Sequence, residues 1–365
     1  MAAQLDIGAY TGLPDDDCHA RIVEAKARLA DRAIVLGHHY QREEVYRHAD
    51  LTGDSLRLAH LARGTNAEFI VFCGVHFMAE VADIMSRPEQ VAVLPDLAAG
   101  CSMADMADLG AVERAWRELA SVLDPDDTIT PVTYINSAAN LKAFCGRHDG
   151  IVCTSTNAPA VLRWAFERRE KVLFFPDQHL GRNTAVRMGI GLDEMAVWDP
   201  ARPLGGLTPD RIRRARVLLW NGFCSVHQMF QAADIDRFRT KYPDALVISH
   251  PECAYEVCEK SDLIGSTEFI LKTVSASAPG TRWLVGTELN LVNRLHRDLQ
   301  PKGISVHFMS PIVCMCSTMY RIDPQHLLWT LESMVDGRIV NQIRVPEPEA
   351  AQARTALERM LSLPG

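Results

Sequence analysis

Nine short apolar runs punctuate the chain: AIVLG (33–37), EFIVFCG (68–74), QVAVLP (90–95), ITPVTYI (129–135), KVLFFP (171–176), RARVLLW (214–220), DALVIS (244–249), TRWLVG (281–286) and GISVHFM (303–309). Their apolar residues are continuous rather than alternating with polar ones. That is the pattern of strands buried on both faces of a parallel sheet. Stretches with helical spacing separate them, so the order predicts an α/β fold. Near the C-terminus, Ala353, Ala356, Leu357, Met360 and Leu361 form one stripe, which predicts an amphipathic helix packed on a domain.

A repeat lies over this pattern. Residues 35–59, 132–162 and 247–271 each begin with a strand that ends in a polar residue: His38, Asn136 and His250. Each continues through a helix to a small hydroxyl turn holding Ser55, Ser155 or Thr267, then a second helix. Two more strands follow, and the loop after the last carries Cys101-Ser102, Cys224-Ser225 or Cys316-Ser317. The alignment selects Cys316 over Cys314. The predicted architecture is three similar αβα three-layer units with parallel sheets: 33–115, 116–230 and 231–325. A helical segment (1–32) precedes them and a helical tail (326–365) follows. Ligands of open α/β sheets sit beyond the carboxyl ends of the strands. Three units facing a pseudo-threefold axis would therefore aim all nine positions at one central site.

Composition narrows the chemistry. A length of 365 residues suggests two to three domains at about 150 residues each. The net charge of −8 excludes a broad nucleic-acid footprint. The N-terminal segment has no basic or apolar leader character, and no apolar run is long enough to span a membrane. The chain therefore reads as cytoplasmic, where its ten cysteines stay reduced. Cys101, Cys224 and Cys316 lie 123 and then 92 residues apart, unlike the CxxC pairs of a zinc ribbon. Three converging thiolates suit an iron–sulfur cluster or a zinc site. On a four-iron cluster they would leave one iron open as a Lewis acid. The other cysteines read as buried structural residues.

The runs HHYQ (38–41), GDSLRLA (53–59), LPDLAAGCSMAD (94–105), YINSAANLKA (134–143), FPDQHLGRN (175–183), WNGFCSVH (220–227) and HPEC (250–253) resemble the quinolinate synthase family. So do GVHFMAE (74–80), CTSTNA (153–158), GST (265–267) and VGTE (285–288). The resemblance covers about residues 33–320. It implies three αβα domains holding a [4Fe-4S] cluster through one cysteine each, here Cys101, Cys224 and Cys316. It implies condensation of iminoaspartate with dihydroxyacetone phosphate to quinolinate, with loss of phosphate and water, in NAD biosynthesis. L-aspartate oxidase is the supplier of iminoaspartate so implied, and neither nucleic acid nor membrane is a partner. By motif position, Tyr40 and Tyr134 fall near the open iron. His38, Ser55, Asn136, Ser155, His227, His250, Glu252 and Thr267 line the substrate pocket. The Cys314-Met315-Cys316 run is shorter than the CxxCxxC of some members, so regulatory disulfide chemistry tied to that run does not carry over.

The residues admit a matching chemistry. Both substrates are anions, and helix N-termini at Ser55, Ser155 and Thr267 could receive them, although such residues also serve as plain N-caps. Pro251 fits the first turn of a helix, which would aim His250 and Glu252 from a strand end as general bases, or leave Glu252 as a cap. Tyr40 and Tyr134 could exchange protons or simply hydrogen-bond. His76 and His179 are placed outside direct substrate contact. Competing readings are another iron–sulfur hydro-lyase, a redox protein with Cys314 as fourth ligand, and a structural zinc site.

Overall fold

The structure is a computed structural model that describes residues 6–313 and 315–364. It contains three sheets built to one plan. The first holds β1 (Ala33–His38), β2 (Leu51–Gly53), β3 (Phe69–Cys73) and β4 (Val91–Val93) in the order β2-β1-β3-β4. The second holds β5 (Ile129–Tyr134), β6 (Ile151–Cys153), β7 (Lys171–Phe175), β8 (Met195–Trp198) and β9 (Val217–Trp220) in the order β6-β5-β7-β9-β8. The third holds β10 (Leu246–Ser249), β11 (Leu263–Ile264), β12 (Arg282–Gly286) and β13 (Ser305–Phe308) in the order β11-β10-β12-β13. All of these pairings are parallel, and a short β14 (Gln342–Ile343) adds antiparallel to β4.

All nine expected strands are present, and their apolar continuity has the predicted cause. Every residue of β3, β5, β7 and β9 is buried, because helices cover both faces. Each large side chain placed there, such as Phe174, contributes about 1.5–3 kcal/mol of burial. In each repeat a two- or three-residue edge strand (β2, β6 or β11) precedes the hydroxyl turn. The second repeat is also interrupted by β8 and the helix Pro209–Arg214.

By packing, the chain divides into two compact units, residues 1–101 with 315–345 and residues 102–314 with 346–365. The first contains the first sheet, and the helix Asp15–Leu29 packs on Pro324–Val335 within it. Cys18 is buried in that helix. The second unit contains the other two sheets. Its helix Glu349–Leu361 buries Ala353, Ala356, Leu357 and Met360, as the stripe predicts, while Leu361 is half-buried. It lies on the helix Ala139–Arg147. Gly146 permits that approach, because a Cβ there would stand 2.0 Å from the Gln352 carbonyl oxygen. Among the described residues no helix is long and apolar enough to cross a membrane.

Candidate functional site

The second unit gathers its titratable groups where β5 and β10 end. Tyr134, the last residue of β5, donates its hydroxyl to Glu252 Oε1 at 2.6 Å. His227 Nδ1 lies 2.9 Å from Glu252 Oε2, and His227 Nε2 lies 3.3 Å from Thr287 Oγ1. The His227 and His250 rings stack at 4.7 Å. Tyr134, His227, His250 and Glu252 are all buried. The structure therefore brings together four residues that the sequence had placed in the site.

Pro251 does not open a helix. His250 Nδ1 accepts the Glu252 backbone N–H at 3.3 Å, and the Cys253 N–H donates to the His250 carbonyl. These bonds close a turn and delay the helix to Tyr255–Lys260. Glu252 is thus no helix cap, and its side chain stays with Tyr134 and His227. Asn183 braces the turn from the neighbouring repeat, donating to the Pro251 and Cys253 carbonyls at 2.8 Å each.

Burial by itself would raise the Glu252 pKa. The charges of His227 and His250 and the hydrogen bonds from His227 and Tyr134 outweigh it and bring the carboxyl to about 2. Burial takes His250 down to about 3, so that ring is neutral near pH 7. Its Nδ1 accepts, so the proton sits on Nε2. In the first unit His38 makes the same bond: its Nδ1 accepts the Tyr40 N–H at 3.1 Å, and the two rings meet edge-on at 4.7 Å.

The hydroxyl turns are not themselves the caps. Asp54 caps the helix Ser55–Gly64, accepting from the Arg57 N–H. Ser266 caps Thr267–Ser275, accepting from the Phe269 N–H. In the second repeat Thr154 and Asn157 bond each other ahead of Ala158–Phe166. Ser55 and Thr267 follow these caps as the first residues of their helices. Asn136 Oδ1 is buried with no hydrogen-bond partner among the described residues.

Three groups escaped the sequence reading. Lys142 is fully buried and donates to the Ser137 carbonyl, while Ser137 donates to that of Tyr134. Asn183 is the brace described above. Asp177 caps the helix Gln178–Arg187 with Oδ1, accepting from His179 and Leu180, but Oδ2 is buried without a partner among the described residues. Burial above all, then the charge of Glu252, hold the Asp177 carboxyl well above the usual carboxylate range. FPDQHLGRN was visible as a motif, but local spacing shows Asp177 only as a cap.

The cysteines divide sharply. Cys18, Cys73, Cys145, Cys153, Cys253 and Cys258 are buried, and burial raises each thiol pKa. Among the described cysteines only Cys101, Cys224 and Cys316 are partly exposed. Each follows the last strand of its repeat, β4, β9 or β13. Each also stands three residues before a short 3-10 turn: Ala104–Met106, His227–Met229 or Met319–Arg321. Cys314 lies outside the described residues. The loop to Cys224 is anchored by Trp220, whose Nε1 donates to the Met106 carbonyl, and by Gly222, where a Cβ would meet the Pro176 oxygen at 2.3 Å.

Cys224 Sγ, a His227 ring nitrogen and a Glu252 oxygen lie within 4.8 Å of one another, close enough to hold one metal ion. Both Glu252 oxygens already face Tyr134 and His227, so a lone ion would have to displace those partners.

Residues 20–362 match the family profile NadA, described as "Quinolinate synthetase A protein". A Corynebacterium glutamicum protein named quinolinate synthase is 55% identical over 355 residues, covering 97% of this chain and 89% of the relative. One of the same name from Rhodopirellula baltica is 54% identical, covering 97% of this chain and 93% of the relative. A third, from Nocardioides sp., is 56% identical, covering 93% of this chain and 88% of the relative.

Proposed function

The chain belongs to the quinolinate synthetase A family, and we propose from that premise that it is a quinolinate synthase condensing iminoaspartate with dihydroxyacetone phosphate, with loss of phosphate and water. The observation that carries the chemistry is the buried Glu252 carboxylate, ionised and held between Tyr134 and His227. A carboxylate kept charged at a strand end can accept a proton, and the phenol bonded to it can relay one, the two roles that enolisation of a ketose and the later eliminations require.

On this reading Glu252 takes the proton and Tyr134 passes or receives it at its hydroxyl. His250 and His38 offer Nε2–H donors to substrate oxygens. Asn136 Oδ1 accepts from the imine or its amine successor. Ser55, Ser155 and Thr267 bind phosphate and carboxylate at helix N-termini. Tyr40 serves as Tyr134 does, and His227 orients Glu252 and contacts substrate.

Cys101, Cys224 and Cys316 are the proposed ligands of a [4Fe-4S] cluster. Their partial exposure, against the burial of the other described cysteines, is what fits them to it. When bound, the cluster supplies an iron without a protein ligand, a Lewis acid toward substrate oxygen. The division into units 33–115, 116–230 and 231–325, a cytoplasmic setting and supply of iminoaspartate by L-aspartate oxidase belong to the same proposal.

The test is direct. Protein purified without oxygen is given both substrates, and quinolinate is measured by chromatography. Quinolinate should form, and Glu252→Gln should abolish it while iron and sulfide content stays unchanged. No quinolinate from iron-loaded protein would refute the reading.

A further inference from the structure

Away from Tyr134 and Glu252, the second unit contains a cavity of about 470 Å3 beside the helix Gln178–Arg187, within the range of small-ligand sites. Met195 and Val197 of β8 and Leu219 of β9 give it an apolar floor. Arg182, His179 and Gln178 form its polar wall.

Arg182 is half-buried and makes two hydrogen bonds there, to Gln178 Oε1 at 2.9 Å and to His179 Nδ1 at 3.3 Å. A guanidinium carries five N–H donors, so three remain. Among the described residues no carboxylate is within ion-pair distance of it. Burial pulls its pKa down, against the more distant charges of Glu256 and Asp177. A half-buried cation without a paired anion is costly, and an incoming carboxylate would offset that cost.

The wall also fixes the ligand's charge. Arg182 can only donate, so His179 Nδ1 accepts and its Nε2–H donates to Gln228 Oε1 at 2.8 Å. His179 is therefore neutral, as its burial and the nearby Arg182 charge also favour. Arg182 is then the one cation of the wall, and exposed Glu256 adds a negative charge at the rim. That balance suits one carboxylate and disfavours a phosphate dianion.

We propose that this cavity binds a small monocarboxylate with an apolar body, its carboxylate on Arg182 and its body over Met195, Val197 and Leu219. The ligand would touch a hydrogen-bonded chain, Arg182 to His179 to Gln228, that ends next to His227 in sequence.

The test titrates para-fluorobenzoate into the full-length protein, purified without oxygen, and follows it by fluorine NMR. Binding is read without turnover, so the outcome is independent of the proposed reaction. Saturable binding is expected, weakened about ten- to a hundredfold by Arg182→Gln, the cost of losing a charge-assisted hydrogen bond. Val197→Trp fills the floor and should abolish binding while leaving the cation in place. Glu256→Gln, at an exposed position, should strengthen binding about twofold or more. No saturable binding by the unmodified protein, or binding that survives both Arg182→Gln and Val197→Trp, overturns the proposal.

Discussion

Replacing Asp177 by Asn should stabilise the protein increasingly as pH rises. Oδ1 of Asp177 caps a helix, and an Asn oxygen can make the same two bonds. Oδ2 is buried without a partner among the described residues, and burial with the Glu252 charge raises the carboxyl pKa well above normal. The unfolded chain has an ordinary Asp, at about 3.9. Above that pH the folded state keeps a proton that the unfolded state has released. Folding stability then falls by about 1.4 kcal/mol for each pH unit until the folded carboxyl ionises. Asn does not titrate and removes this slope. Its amide group costs about 1–3 kcal/mol if it finds no acceptor, but that offset is constant with pH. Glu252 shifts the opposite way: its depressed pKa adds stability above the unfolded value, lost only as pH falls toward about 2. It is ionised in both states above about pH 5.5 and adds no slope there. The assay is urea unfolding of both proteins at several pH values between about 5.5 and 7.5, with m held common. The stability of the Asp177→Asn variant minus that of the unmodified protein should climb with pH, by at most about 1.4 kcal/mol per unit. A difference that stays flat would mean that Asp177 is ionised in the fold, and the electrostatic account would fail.

Tyr134→Phe removes the 2.6 Å donor to Glu252 and should lower kcat/KM about ten- to a hundredfold, with circular dichroism unchanged. Steady-state quinolinate formation checks it. Cys101→Ala, Cys224→Ala and Cys316→Ala should each lose iron and sulfide in anaerobic assay. Cys314→Ala should keep both, and so should Cys153→Ala, whose thiol is buried. Gly146→Ala gains about 1 kcal/mol of helix propensity, but the 2.0 Å approach to Gln352 should outweigh it. A net loss of about 1–3 kcal/mol is expected, read as a lower melting temperature and earlier proteolytic release of the C-terminal helix. His250→Asn removes the Nε2–H and shortens the side chain that holds the Glu252 N–H, so it should lose about tenfold in kcat/KM. His250→Leu should also lower the melting temperature.

The long strands were legible because burial on both faces leaves continuous apolar runs in β3, β5 and β7. β2, β6, β8, β11 and β14, of two to four residues each, were not. Neighbouring strands impose their extended form by pairing. The repeat fixed which cysteines to expect near a ligand, and the structure leaves those three partly exposed. Caps were legible only to within a residue: Asp54 and Ser266 outcompete Ser55 and Thr267 because each sits in the extended conformation that lets a side chain reach back to the third N–H. Asp177, Lys142 and Asn183 are set by tertiary contacts that local spacing does not record. Pro251 misled because the local preference for a helix start lost to the bond between His250 and the Glu252 amide.

That bond explains how one repeated loop can hold unlike chemistry. In the first and third repeats the strand-end histidine takes the N–H two residues on, at Tyr40 and at Glu252. The backbone there is held by the histidine, so the side chain at the second position is not needed to make the turn. In the second repeat Tyr134, paired with Cys153 as His38 is with Gly53, stands at the histidine's place, so the second position is Asn136. A carboxylate, a phenol and a carboxamide thus occupy one station on a common scaffold. Divergence at that station changes the available acid or base without rebuilding the loop. Glu252 becomes a buried, ionised base because His227 and His250 face its charge and Tyr134 of another repeat adds a hydrogen bond to it.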